Sequence, residues 1–173
     1  LYSLVSAAPS DGVAFLGGHL ALALADRAPP GERVLLIDLA SPVGASLVYF
    51  NVNQTYTLLD ALHDVYRCDQ TLIDTAFSRH ESGLYVLSLS EETLGFPSLD
   101  QQSLIALLET LRLHFGAIVF AVDAHMAVPT LSAVITQSTR SLLVTDQSIL
   151  RSRQNKTLLQ GLRVEACALD RMG

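Results

Sequence analysis

Along almost the whole chain, short continuous apolar runs alternate with stretches whose apolar residues recur at helical spacing, and turn-forming residues separate the two. Leu1–Ala7 (LYSLVSA) predicts a strand, a loop with Pro9, Asp11 and Gly12 follows, and Val13–Asp26, rich in Ala and Leu, predicts a helix. Beyond the turn at Pro29, Pro30 and Gly31, Arg33–Leu39 (RVLLIDL) is apolar up to a carboxylate, as a strand covered on both faces should be. Thr55–Val65 and Asp69–Phe77 predict helices, and Leu84–Ser88 (LYVLS) a strand. Leu99–His114 predicts a strongly amphipathic helix, and Ala117–Val122 (AIVFAV) a buried strand that runs into Asp123. Pro129–Gln137 predicts a helix, Ser141–Thr145 (SLLVT) a strand, Ile149–Leu162 a polar-faced helix and Val164–Leu169 (VEACAL) a last strand.

Strands that alternate with helices in this order imply an α/β class: a doubly wound, mainly parallel sheet with right-handed crossovers and helices on both faces. In such sheets ligands sit at the carboxyl ends of the strands, which directs the search to the loop from Ala7 to Ala14.

Composition narrows the picture. At 173 residues, with 50% hydrophobic and 16% charged, the chain is long enough for one domain with a substantial core, so residues 1–173 are expected to form a single unit. A net charge of -6 argues against binding nucleic acid by phosphate neutralisation. Cys68 and Cys167 lie far apart with no metal-ligand spacing, so neither a zinc site nor a disulfide framework is expected, and a reducing cytoplasm fits best. The mean hydropathy of +0.37 is high, yet no apolar stretch reaches the 18 or so residues of a membrane span. The chain starts abruptly on Leu1, which suggests a fragment.

A phosphate-binding loop needs glycines that let backbone N–H groups converge, a Lys for the terminal phosphates and a Ser or Thr for Mg²⁺. The loop Ala8, Ser10, Asp11, Gly12, Val13, Ala14 has only the glycine and one hydroxyl. Several further segments are collinear with a known family. Val5-Ser6 is followed by Gly12 and by His19–Ala25, then by Arg33–Leu39 with Asp38 near its end, Tyr56–Leu62, Ser82–Leu87, Leu108–Phe115, Leu142–Thr145, Arg153 and Asp170-Arg171. In order and spacing the chain resembles the MinD/ParA-type deviant Walker A ATPases, and most closely their CpaE/TadZ pilus-assembly branch.

The resemblance also marks departures. The family's signature lysine falls on Ala8, its second, catalytically central lysine on Val13, and its Mg²⁺-holding Ser/Thr on Ala14. Asp38 keeps the first acidic position after the second strand, whereas the second falls on Ala40. The Walker B aspartate falls on Ala121, or on Asp123 with a two-residue shift, and the adenine-reading Asn falls on Asp170. Catalysis in such sites is positioning and charge stabilisation of phosphate, which Val13 and Asp11 do not supply. Asp11 would repel phosphate by about 1 kcal/mol or more at short range. ATP and Mg²⁺ are therefore disfavoured as cofactors, and no catalytic residue is assigned.

Other features have plain readings. Gly17 and Gly18 fit close packing of helix on sheet better than a regulatory interface. Asp38 and Asp123 are either remnants of a Mg²⁺ site or caps of the following loops. His19, His63, His80, His114 and His125 show no metal-binding spacing. Arg151, Arg153 and Lys156 read as a solvated helix face before a DNA-binding one. No GxSxG elbow is present.

The resemblance implies a degenerate ATPase-like scaffold that helps localise or assemble a tight-adherence (Flp-type) pilus or a secretion system. It would act in the cytoplasm, at the membrane periphery or a cell pole, through protein partners and a homodimer, with no nucleic acid. It implies an upstream receiver-like domain as well. An atypical MinD/ParA-type ATPase switch and a ParA-like partitioning or regulatory protein are the alternatives.

Overall fold

Every residue of Val34–Leu39 is buried, and this strand stands near the middle of a six-stranded sheet. The computed structural model describes residues 1–9, 12–90, 98–165 and 169–172, for residue 171 the backbone only. Its strands are β1 (Tyr2–Ser6), β2 (Val34–Leu39), β3 (Ser78–Arg79), β4 (Tyr85–Ser88), β5 (Ala117–Asp123) and β6 (Arg140–Val144). The helices are α1 (Val13–Arg27), α2 (Ala45–Tyr49), α3 (Leu58–His63), α4 (Gln70–Ala76), α5 (Gln101–Leu111), α6 (Val128–Gln137) and α7 (Ile149–Val164), with short 3-10 turns at Val65–Arg67 and Leu169–Arg171.

The sheet order is β3-β4-β2-β5-β1-β6, parallel throughout except for the antiparallel β3. The apolar runs of β2 and β5 face both ways, and the core accordingly divides into two clusters, one on each side of the sheet. Leu35, Ile37, Phe120 and Val122 join α5 and α6 on one side, while Leu36, Val119 and Ala121 pack under α1 on the other. Each fully buried Leu or Ile contributes about 1.5–3 kcal/mol, so Leu35, Leu36 and Ile37 of β2 and Leu104, Leu107, Leu108 and Leu111 of α5 are large contributors to the fold's cohesion.

Side-chain caps open α3, α4, α5 and α7, within three residues of the starts the sequence pattern gave. The Thr57 hydroxyl accepts from the Asp60 N–H at 3.2 Å while the Asp60 carboxylate accepts from the Thr57 N–H at 2.8 Å, a reciprocal box that opens α3. Asp69, Asp100 and Ser148 accept from the first turns of α4, α5 and α7.

Gly17 and Gly18 are packing residues. A Cβ on Gly17 would stand 2.9 Å from the Ala121 Cβ, and one on Gly18 would stand 2.5 Å from the Phe50 ring, so α1 sits closer to the sheet and to α2 than any side chain there would allow. At the sheet's border, the Gln54 amide mimics a strand: its Nε2 donates to the Ser88 carbonyl at 2.9 Å and its Oε1 accepts from the Ser88 N–H at 2.8 Å.

One predicted strand is corrected. Val164 continues α7, residue 165 is a turn, and Leu169 begins a 3-10 turn; residues 166–168 of that prediction lie outside the described residues. Beyond this point Met172 joins the sheet through a parallel bridge to Ser141.

Candidate functional site at the carboxyl edge of the sheet

The carboxyl ends of β1, β2 and β5 bring together Ala8, Gly12, Val13, Ala14, Asp38 and Asp123. Ser6 ends β1 in register with Asp123 of β5, and Asp38 lies opposite Ala121. After β1 the chain turns tightly. The Ser6 hydroxyl donates to the Ala8 carbonyl at 2.8 Å and accepts from the Ala8 N–H at 3.2 Å, which buries Ala8. Gly12 then adopts φ 77 to start α1, a left-handed conformation that a side chain disfavours. Val13 and Ala14, 1% and 5% exposed, belong to the core cluster under α1. Ser10 and Asp11, two of the sequence candidates, lie outside the described residues.

The two carboxylates are buried and fully engaged. Asp38 Oδ1 accepts from the Ala40 N–H at 3.0 Å, and its Oδ2 accepts from the Ser46 N–H at 3.0 Å and the Ser46 hydroxyl at 2.6 Å. Asp123 Oδ2 accepts from the Ser41 N–H at 2.7 Å, and its Oδ1 from the His125 N–H at 3.0 Å, with the His125 ring nitrogen 3.3 Å away. Burial pushes the Asp38 carboxyl above its usual range; the hydrogen bonds from Ser46 and Ala40 counter this, and the negative charge of Asp123 adds to the rise. The pair therefore ties the loop after β2 to the ends of β2 and β5. Ser41 and Ser46 are partners that the sequence pattern did not single out, and His125 stood out there only as a histidine without metal-binding spacing. Ser46 stands on α2, a five-residue helix too short to show periodicity, whereas the Asp-Ala-His spacing at 123–125 was visible.

The remaining candidates are elsewhere. Arg153 lies on the exposed side of α7 and Asp170 in the exposed turn after it, and among the described residues no hydrogen bond or ion pair joins either side chain to the cluster. Ala121 lies within β5 beneath Gly17, so the carboxylate at that strand's end belongs to Asp123.

No protein-family model matches the chain, and no curated protein matches it in sequence. Solved structures do. A ParA family ATPase from Chlorobium tepidum TLS superposes with a TM-score of 0.78 at 20% identity, covering 99% of this chain and 70% of that one. The fold is that of the ParA/MinD P-loop ATPases. The MinC:MinD cell division protein complex of Aquifex aeolicus matches with a TM-score of 0.71 at 16% identity, over 97% of this chain and 66% of that one. Cobyrinic acid a,c-diamide synthase from Mycobacterium smegmatis, with bound ATP analog and magnesium, matches with a TM-score of 0.69 at 14% identity, over 99% and 71%. This chain thus spans roughly two thirds to seven-tenths of the length of these solved structures.

Ala7, Ala8, Pro9 and Gly12 are the described residues of the loop between β1 and α1, and none of them carries a charged side chain. Val13 and Ala14 offer neither a cation nor a hydroxyl and are packed into the core. The chain's sole lysine, Lys156, is on α7. Asp38 and Asp123 already accept hydrogen bonds at all four carboxylate oxygens. Among the described residues no group of three or more His, Cys, Asp or Glu side chains is arranged to hold a metal ion. No described helix is long and apolar enough to cross a membrane.

Proposed function

We propose that the chain is an ATPase-like scaffold with little or no nucleotide turnover. It helps localise or assemble a tight-adherence pilus or a secretion system in the cytoplasm, through protein contacts and association with a second copy. The observation that carries this reading is the burial of Val13 and Ala14 at the opening of α1. In this fold phosphoryl chemistry rests on a positioned Lys and a metal-holding hydroxyl. An apolar pair locked into the core at those places supplies neither. The sequence resemblance to the CpaE/TadZ branch supports the pilus or secretion setting, and a MinC:MinD complex among similar structures agrees with a role in protein partnership. Asp38 and Asp123 act here as braces for the loops around the former phosphate site.

The test is isothermal titration of ATP and ADP, each with Mg²⁺, into the purified protein, with light scattering on the same samples. The expected result is no saturable heat up to about millimolar nucleotide and no change in oligomeric state. Binding near the micromolar range that converts monomer to dimer would overturn the scaffold reading in favour of an atypical nucleotide switch.

A further inference from the structure

A cleft of about 660 Å³ opens at the opposite, amino edge of the sheet, below the starts of β2 and β4. Pro29 and Pro30 stiffen one rim, and two guanidinium groups approach the Tyr85 ring. The Arg33 guanidinium carbon stands 5.8 Å from the ring centroid and that of Arg79 stands 5.4 Å from it. The two arginines differ in what holds them. Arg33 Nη2 lies 3.0 and 3.1 Å from the two Asp74 oxygens, and the Tyr85 hydroxyl donates to the same carboxylate at 3.1 Å. Among the described residues Arg79 has no carboxylate partner and no side-chain hydrogen bond; it rests on the ring face and beside Gly83, whose φ of 89 makes the turn between β3 and β4.

We infer that this cleft binds an oxyanion, a carboxylate or phosphate group, with Arg79 as its bidentate contact and the Arg33–Asp74–Tyr85 group as the frame that holds Arg79 over the ring. A guanidinium stacked on an aromatic ring presents its N–H edge in a fixed plane, which suits paired recognition of two oxygens. The fixed ring lowers the entropy lost on binding, because Tyr85 is buried and tied through Asp74. Glu32 lies on the cleft's lining too, so its formal charge is balanced and selection comes from the position of Arg79, not from a general positive field. The volume suits a small organic anion or a few residues of an acidic peptide. This site is independent of the nucleotide end and of the scaffold reading.

The experiment is an amide-shift NMR titration of the intact chain with three probes: inorganic phosphate, glutarate and an N-acetylated triglutamate amide. Saturable shifts at the Gly83 and Tyr85 amides are expected with at least one probe, weakened about tenfold or more in Arg79→Ala and partly kept in Arg79→Lys. A peptide that binds more tightly than glutarate would point to an acidic protein segment, and equal or tighter binding of the free anions to a small ligand; both support the site. Absence of saturable shifts at these amides with all three probes would overturn the proposal. So would equal affinity in Arg79→Ala with unchanged far-UV circular dichroism. Shifts centred on Gly12 and Val13 would instead report the nucleotide end, which keeps the two readings apart.

Discussion

Gly17→Ala sets two physical effects against each other. Replacing Gly by Ala inside a helix is worth about 1 kcal/mol in favour of the variant from backbone entropy alone. Here the new Cβ would stand 2.9 Å from the Ala121 Cβ, with the Ala121 Cα at 3.6 Å. Carbon atoms in contact settle at about 3.5–4.0 Å, so α1 would have to lift by up to about 1 Å from a sheet it covers through β5 and β2. Strain of this kind in a packed interior costs about 1–3 kcal/mol. The net expectation is a loss near 1 kcal/mol, or a fall of about 2–4 °C in Tm for a chain of this size. Ala121→Gly removes the opposing methyl, so in that background the same Gly17→Ala change should stabilise by up to about 1 kcal/mol. Urea denaturation of the four proteins, followed by far-UV circular dichroism, closes the cycle, and a coupling of roughly 1–3 kcal/mol is expected. A Gly17→Ala protein more stable than the parent, or coupling below about 0.5 kcal/mol, would show that α1 is not seated by this contact.

Three further expectations follow from the same coordinates. Ser46→Ala removes the 2.6 Å hydroxyl donor to the buried Asp38 and should lower unfolding stability by about 1.5–3 kcal/mol, measured by urea midpoint, with an unchanged midpoint refuting the bracing role. Because the Asp38 carboxyl is raised above 3.8, its contribution is fully present below that value and is lost as pH rises through its folded pKa; the stability of Asp38→Asn relative to the parent should thus climb from about pH 4 towards neutrality, and a flat or falling difference would reverse the sign. Comparison with the variant is needed since Asp74, Asp100 and Asp146, all lowered, act in the opposite sense, losing stability as pH falls. Thr57→Ala breaks the capping box of α3 and should cost about 1 kcal/mol, with faster amide exchange at Asp60 as the local readout; unaltered exchange there would count against the cap.

How far the fold could be read from the chain depended on how much pattern each element carries. β2 and β5 were legible to within a residue because a strand buried on both faces is apolar throughout; α1 was legible to the same degree, and α5 to within three residues, because their length gives helical spacing room to repeat. α2, with five residues, and β3, with two, are too short for either pattern to repeat twice and were missed. The strand predicted from Val164 fails at its start for a different reason: Val164 still belongs to α7, which had not finished when the apolar run began. In the candidate site the strand-end carboxylates were visible, but their partners were not. Ser41 lies 82 positions from Asp123, and only the register of β2 beside β5 brings them within a hydrogen bond.

The amide of Gln54, seated on Ser88 like a missing neighbour, gives the sheet a direction of growth. On the β4 side the backbone groups that could template another strand are used up by the two residues of β3 and by this single side chain. At the other border β6 offers five residues, with Met172 bridged to Ser141 there among the described residues. Among the described residues an extended segment that pairs with the sheet meets different margins at the two borders, two residues of β3 at one and five of β6 at the other. As margins for main-chain pairing the two borders are unequal, the shorter one where Gln54 stands and the longer one at β6.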